Sequence, residues 1–127
     1  MKSKSLGLFA TVAGLLLAAI PAAAHHSAAV QYDVSKSVKV TGTLVKVEWQ
    51  NPHNWYYVDV KEADGSVTHW AAEGAPPGHL FRDGVERKTL VDLVGNTVTM
   101  EGSPARDGSK NMSAHGLTLP DGKKYPM

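Results

Sequence analysis

The sequence predicts an all-β fold with one short helix, a small five-stranded barrel of the OB-like Greek-key kind. Three observations carry that expectation. Five runs alternate apolar and polar residues with a period of two, the signature of half-buried strands. One Pro-rich break with helical character falls between the third and fourth runs. The first run is long and changes phase near Gly42, as a strand must if it is to pair at both ends and close a sheet. An open sandwich or meander is the competing architecture for the same strands.

The organising stretch is Val38 to His53, VKVTGTLVKVEWQNPH. Val38, Val40, Gly42 and Leu44 share one face, whereas Val45, Val47 and Trp49 share the other, so a bulge or sharp coil is expected near the glycine. Lys46 and Glu48 argue against a strand buried on both faces. Asn51-Pro52 forces a turn, because proline lacks a donor and restricts the residue before it. Trp55 to Lys61 is the second strand, with Tyr56, Val58 and Val60 on one face and Trp55, Tyr57 and Asp59 on the other. Asp64-Gly65 is a hairpin signal that makes Val67 to Glu73 the antiparallel third strand.

Pro77 then opens a helical turn through Arg82, stopped by Asp83-Gly84, with Leu80 and Phe81 expected to plug one end of the sheet. Leu90 and Leu93 mark a further turn or a loop. Thr97 to Ser103 is the fourth strand and Met112 to Leu119 the fifth, separated by the Arg106-Asp107-Gly108-Ser109 turn and followed by a polar tail. Ahead of the barrel, Val30, Tyr32 and Val34 alternate, which fits either a short edge strand or an extended arm.

The chain begins with Lys2 and Lys4, an apolar run from Leu6 to Ile20, then Pro21 and Ala22-Ala23-Ala24. This is the pattern of a secretory signal peptide, and the run is short of the roughly 20 residues a spanning helix needs. Cleavage after Ala24 divides the chain into a signal (1–24), an arm (25–37) and a barrel domain (38–127). Removal of 24 residues leaves 103 of 127, enough for one domain. Losing Lys2 and Lys4 takes 13 basic residues to 11 against 12 acidic ones, so no basic excess remains to neutralise phosphates, and nucleic acid is excluded as a partner. The processed protein is expected to be periplasmic, off the membrane and monomeric, with an unidentified periplasmic partner or small ligand. It has no cysteine, so packing and ladder hydrogen bonds must hold it together without thiol chemistry.

Six histidines follow the cleavage point: His25, His26, His53, His69, His79 and His115. An α-amine and an imidazole on one residue form a chelate, so a processed His25 with His26 suits copper, zinc or nickel, copper(II) heading the affinity order. His53, beside the proline at the close of the first strand, is the candidate third ligand, with a turn histidine bonded to the loop backbone as the plainer reading. Glu73 is the one carboxylate placed to meet His53 across the sheet. Trp55 and Tyr57 share an outward face on which a sugar, peptide or aromatic ligand would stack. His69 reads as a cross-strand residue, Met100 and Met112 as core, and at least one of Trp49 and Trp70 as core. No phosphate loop, nucleophile elbow or HExxH motif is present, so no enzyme is expected. Two functions follow: a non-enzymatic metal-binding protein using His25, His26 and His53, or a metal-free interaction module using Trp55, Tyr57 and Glu73.

The segments HHS with YD (25 to 33), VTGTLVKVEWQNPH (40 to 53), WAAE (70 to 73) and LPDGKKY resemble a domain-of-unknown-function family of small exported bacterial proteins. Its most specific marks are His25-His26-Ser27 and the Trp49-Gln50-Asn51-Pro52-His53 corner. The resemblance implies export and a small barrel-like domain, and brings no activity with it.

Overall fold

The barrel is wound on β1 (Val38–Glu48), whose two halves serve different neighbours. In the computed structural model, which describes residues 28–127, Val38 to Thr43 pair antiparallel with β4 (Thr97–Pro104). Thr43 to Glu48 pair with β2 (Trp55–Lys61). β2 continues antiparallel into β3 (Val67–Glu73), and β4 into β5 (Asn111–Thr118). A parallel pairing of β3 with β5 closes the ring. The order 1-2-3-5-4 around the ring is the OB-type Greek-key connectivity. The signal segment and His25-His26-Ser27 lie outside the described residues.

β1 hands over from one neighbour to the other by a device the sequence places three residues too early. The register shifts between Leu44 and Lys46, and Val45 is the bulged, outward residue. The inward set therefore runs Val40 and Leu44, then Val47 and Trp49 after the slip. Gly42 has another task. A Cβ there would lie 2.2 Å from the Asp59 carbonyl oxygen, so only glycine lets β1 and β2 approach this closely. β4 repeats the theme: its register slips between Glu101 and Gly102, and a Cβ on Gly102 would lie 2.1 Å from the Ser113 carbonyl oxygen.

The interior is filled by Leu44, Tyr56, Val58, Val98, Met100, Met112 and Leu117, with Trp49 and Trp70 packed partly buried against them. Both methionines are core, as expected. Two short helices, α2 (Pro77–Arg82) and α3 (Arg87–Val91), cover one end through the buried side chains of Leu80 and Leu90. Phe81 takes no part and is 66% exposed. Consecutive residues on a helix point about 100° apart, so a single turn cannot aim both Leu80 and Phe81 at the barrel. Gly84, at φ +80°, ends the turn and lets the Val85 N–H reach the Leu80 carbonyl at 2.9 Å.

Two further elements depart from expectation. β6 (Lys124–Pro126) adds a strand beside β5 from a polar tail too short to show alternation. Before the barrel, α1 (Ala28–Gln31) is a single turn, followed by an isolated bridge that pairs Tyr32 with Ala105. Val30 and Val34 are exposed while Tyr32 is buried, so the Val-Tyr-Val alternation is no strand. The segment is an arm pegged by one ring.

Candidate functional site

A cavity of about 250 Å³ opens where this arm meets the end of the barrel. Ala28, Tyr32, His53, Glu73 and Ser113 are among the residues that line it. They come from the arm, the β1–β2 connection, the end of β3 and the start of β5, so only the closed ring brings them together.

His53 is not the end of a strand. β1 stops at Glu48, and His53 sits in the connection that follows, which contains a cis Asn51-Pro52 bond. The buried Asn54 holds that connection. Its Oδ1 accepts the Gln50 N–H at 3.1 Å, its own N–H donates to the Ala75 carbonyl at 3.3 Å, and its carbonyl accepts the Gly74 N–H at 2.8 Å. Sequence reasoning credited the proline and missed this amide. The available signal was a polar residue directly ahead of a strongly alternating strand.

Glu73 ends β3 on its outward phase, directly opposite Trp55. One carboxylate oxygen bonds His53 Nδ1, and the other accepts the Tyr32 hydroxyl at 2.7 Å. A carboxylate can only accept, so Nδ1 carries the ring proton and the lone pair of a neutral ring lies on Nε2. The His53 side chain is 44% exposed and lines the cleft. Burial, together with the Glu73 contact, holds the Tyr32 hydroxyl far above its ordinary 10.0, so it remains a donor at neutral pH. Gln31 Nε2 donates to the same hydroxyl at 3.3 Å. The outcome is a four-residue chain, Gln31–Tyr32–Glu73–His53, running from arm to cleft. Tyr32 was not singled out from the sequence, where it looks like one member of an alternating run.

The other candidates are distributed less favourably. Trp55 stands half-buried in the row Glu48–Trp55–Glu73, at the corner of the site. Tyr57 lies one row away and is engaged on both counts: its hydroxyl donates to Glu48 at 3.0 Å, and Lys46 Nζ sits 5.3 Å from its ring centroid. His69 is a cross-strand residue, 2.6 Å from Asp59. His79 faces Asp83 at 3.8 Å and His115 faces Ser103 at 3.3 Å, away from the cleft. His25 and His26 lie outside the described residues. Among the described residues no group of three or more His, Cys, Asp or Glu side chains could hold a metal ion, so His53 and Glu73 would need a further ligand from elsewhere.

With the corner, the arm and the barrel in view, comparison with known proteins supplies a family and nothing further. The chain belongs to a family of unknown function, DUF6152. The family model matches residues 12–117. No curated protein and no solved structure matches the chain. The resemblance read from the HHS start and the WxNPH corner is upheld, and the DUF6152 match contains His25, His26, Tyr32, His53 and Glu73 while stopping short of β6.

Proposed function

We propose that this DUF6152 protein is an exported, periplasmic, non-enzymatic binding protein that holds one transition-metal ion, copper(II) by preference, with His25, His26 and His53. The single observation that supports it is that Ala28 and His53 line one cleft. Consecutive Cα atoms are 3.8 Å apart, so His25 lies within about 11 Å and His26 within about 8 Å of Ala28 along the chain. That tether is what a freshly cut amine and its imidazole would have with which to reach an ion on His53 Nε2. The Glu73 bond to Nδ1 is what a ligating histidine normally has behind it, a partner that fixes the tautomer and strengthens the donor. Copper leads zinc and nickel for a site of amine and imidazole nitrogens.

The alternative, a metal-free module that binds through Trp55 and Tyr57, draws less support because Tyr57 is already occupied by Glu48 and Lys46. Calorimetric titration of the processed chain, its first residue fixed by intact mass, separates the two. The metal reading expects one copper(II) per chain, bound tighter than micromolar. His53→Ala should weaken binding by at least about 100-fold, since losing even a supporting partner of a ligand costs 10–100-fold. Micromolar or weaker binding that His25→Ala and His53→Ala leave unchanged would remove the metal and favour the aromatic face.

A further inference from the structure

Glu73 has two carboxylate oxygens and spends them on residues from distant parts of the chain. One bonds His53 in the β1–β2 connection; the other takes the hydroxyl of Tyr32 in the arm. Tyr32 is 1% exposed yet stands apart from the core cluster, so its ring is a peg between arm and barrel rather than part of the interior. Around it the arm is held by Asp33 N–H to the Pro104 carbonyl at 2.8 Å and Arg106 N–H to the Gln31 carbonyl at 3.0 Å. Arg106 Nε also donates to the Ala29 carbonyl at 2.9 Å. No hydrogen bond joins His53 to the arm directly among the described residues; the carboxylate is the link.

We infer that Glu73 is a two-sided latch: it fixes the His53 ring with Nε2 presented to a ligand and, through Tyr32, seats the N-terminal arm beside that ring, so the two events are coupled. Glu73 and Tyr32 are positioning residues for a binder of the Nε2 lone pair, an electron-pair acceptor such as a metal cation. The latch stands on described residues alone; only the identity of its ligand rests on the function proposed above. Coupling of this kind is reciprocal, so whatever tightens the ring must also tighten the arm.

The test uses the processed chain without metal, at alkaline pH. Nitrogen chemical shifts of ¹⁵N-labelled histidine should show His53 in the Nδ1–H tautomer. Tyr32→Phe keeps the buried ring and removes one charge-assisted hydrogen bond, so amide exchange at Asp33 and Arg106 should accelerate about tenfold while barrel amides such as Leu44 and Val58 do not change. His53→Ala, at a half-buried position in the β1–β2 connection, should accelerate the same two arm amides several-fold. The double variant should exchange no faster than Tyr32→Phe alone, the non-additive result expected of one shared partner. An Nε2–H tautomer in the wild type, arm exchange indifferent to His53, additive effects, or acceleration shared equally by the barrel would each overturn the latch. Absence of copper binding with all these signals intact would remove the metal reading and leave the latch standing.

Discussion

Asn54 shows how a single buried amide sets a functional geometry. Fully enclosed, it satisfies the backbone at Gln50, Gly74 and Ala75 and so ties the loop bearing His53 to the loop that follows Glu73. Its Nδ2 has no partner among the described residues, a cost the fold carries to keep Oδ1 in place. Asn54→Ala should lower the unfolding free energy by about 1–2 kcal/mol, since it strands the Gln50 N–H. That corresponds to a fall of several degrees in Tm for a domain of this size. Thermal unfolding checks it, and an unchanged Tm would mean that the loop is held by something other than this amide. Tyr32 and Glu73 act at the same scale: each has an ordinary local role, and the site arises from the bond between them.

At the scale of elements, the closure of the barrel depends on two glycines where strands nearly touch. A methyl group at Gly42 or Gly102 would press on a backbone oxygen, at Asp59 and Ser113 respectively, and backbone in a ladder cannot yield as a side-chain tip can. Gly42→Ala and Gly102→Ala should each cost at least about 2 kcal/mol in denaturant unfolding. A loss below a few tenths would show that the strands have room to separate. All five barrel strands and the Pro77 helix were legible in the sequence, because alternation over seven or more residues and the Asp-Gly and Pro signals are local. The position of the bulge was not, since Val45 yields to the pairing of β1 with β2, a fact about two strands rather than one. β6 was too short to carry a period. At the site, His53 and Glu73 could be paired on paper because the strand order places them together. Tyr32 could not, because nothing near it in sequence says which distant carboxylate it meets.

For the molecule as a whole, acid and alkali should act on opposite sides of a neutral plateau. Ser35 and Lys36 hold Asp33 down to about 2, from an ordinary 3.8. Lys46, Ser66, Lys39 and Ser109 likewise hold Glu48, Asp64, Glu101 and Asp107 below the usual carboxylate range. A carboxyl depressed in the folded state lends stability that is complete above its unfolded value and fades as pH falls through the folded one. Stability should therefore decline between about pH 4 and 2, by a modest amount because these groups are solvent-screened. Tyr32 and Tyr56 are pushed the other way by burial, so their contribution is whole below 10.0 and is lost as pH rises beyond it. Asn54 lies near enough to Tyr56 to offset part of its rise without reaching hydrogen-bond geometry. Denaturant midpoints measured across pH would test this, and a protein most stable at pH 2 would contradict it.

The parallel seam between β3 and β5 is only three residue pairs long, Ala71 to Glu73 against Asn111 to Ser113, and joins segments some forty positions apart. A seam with so few rungs has little to hold it until β3 is paired with β2 and β5 with β4, so this stave should click home after those two antiparallel ladders. Its final rung, Glu73 beside Ser113, is also the rim of the cleft. Closure of the barrel and completion of the cleft thus share one step: a half-rolled cylinder leaves Glu73 and Ser113 on separate walls.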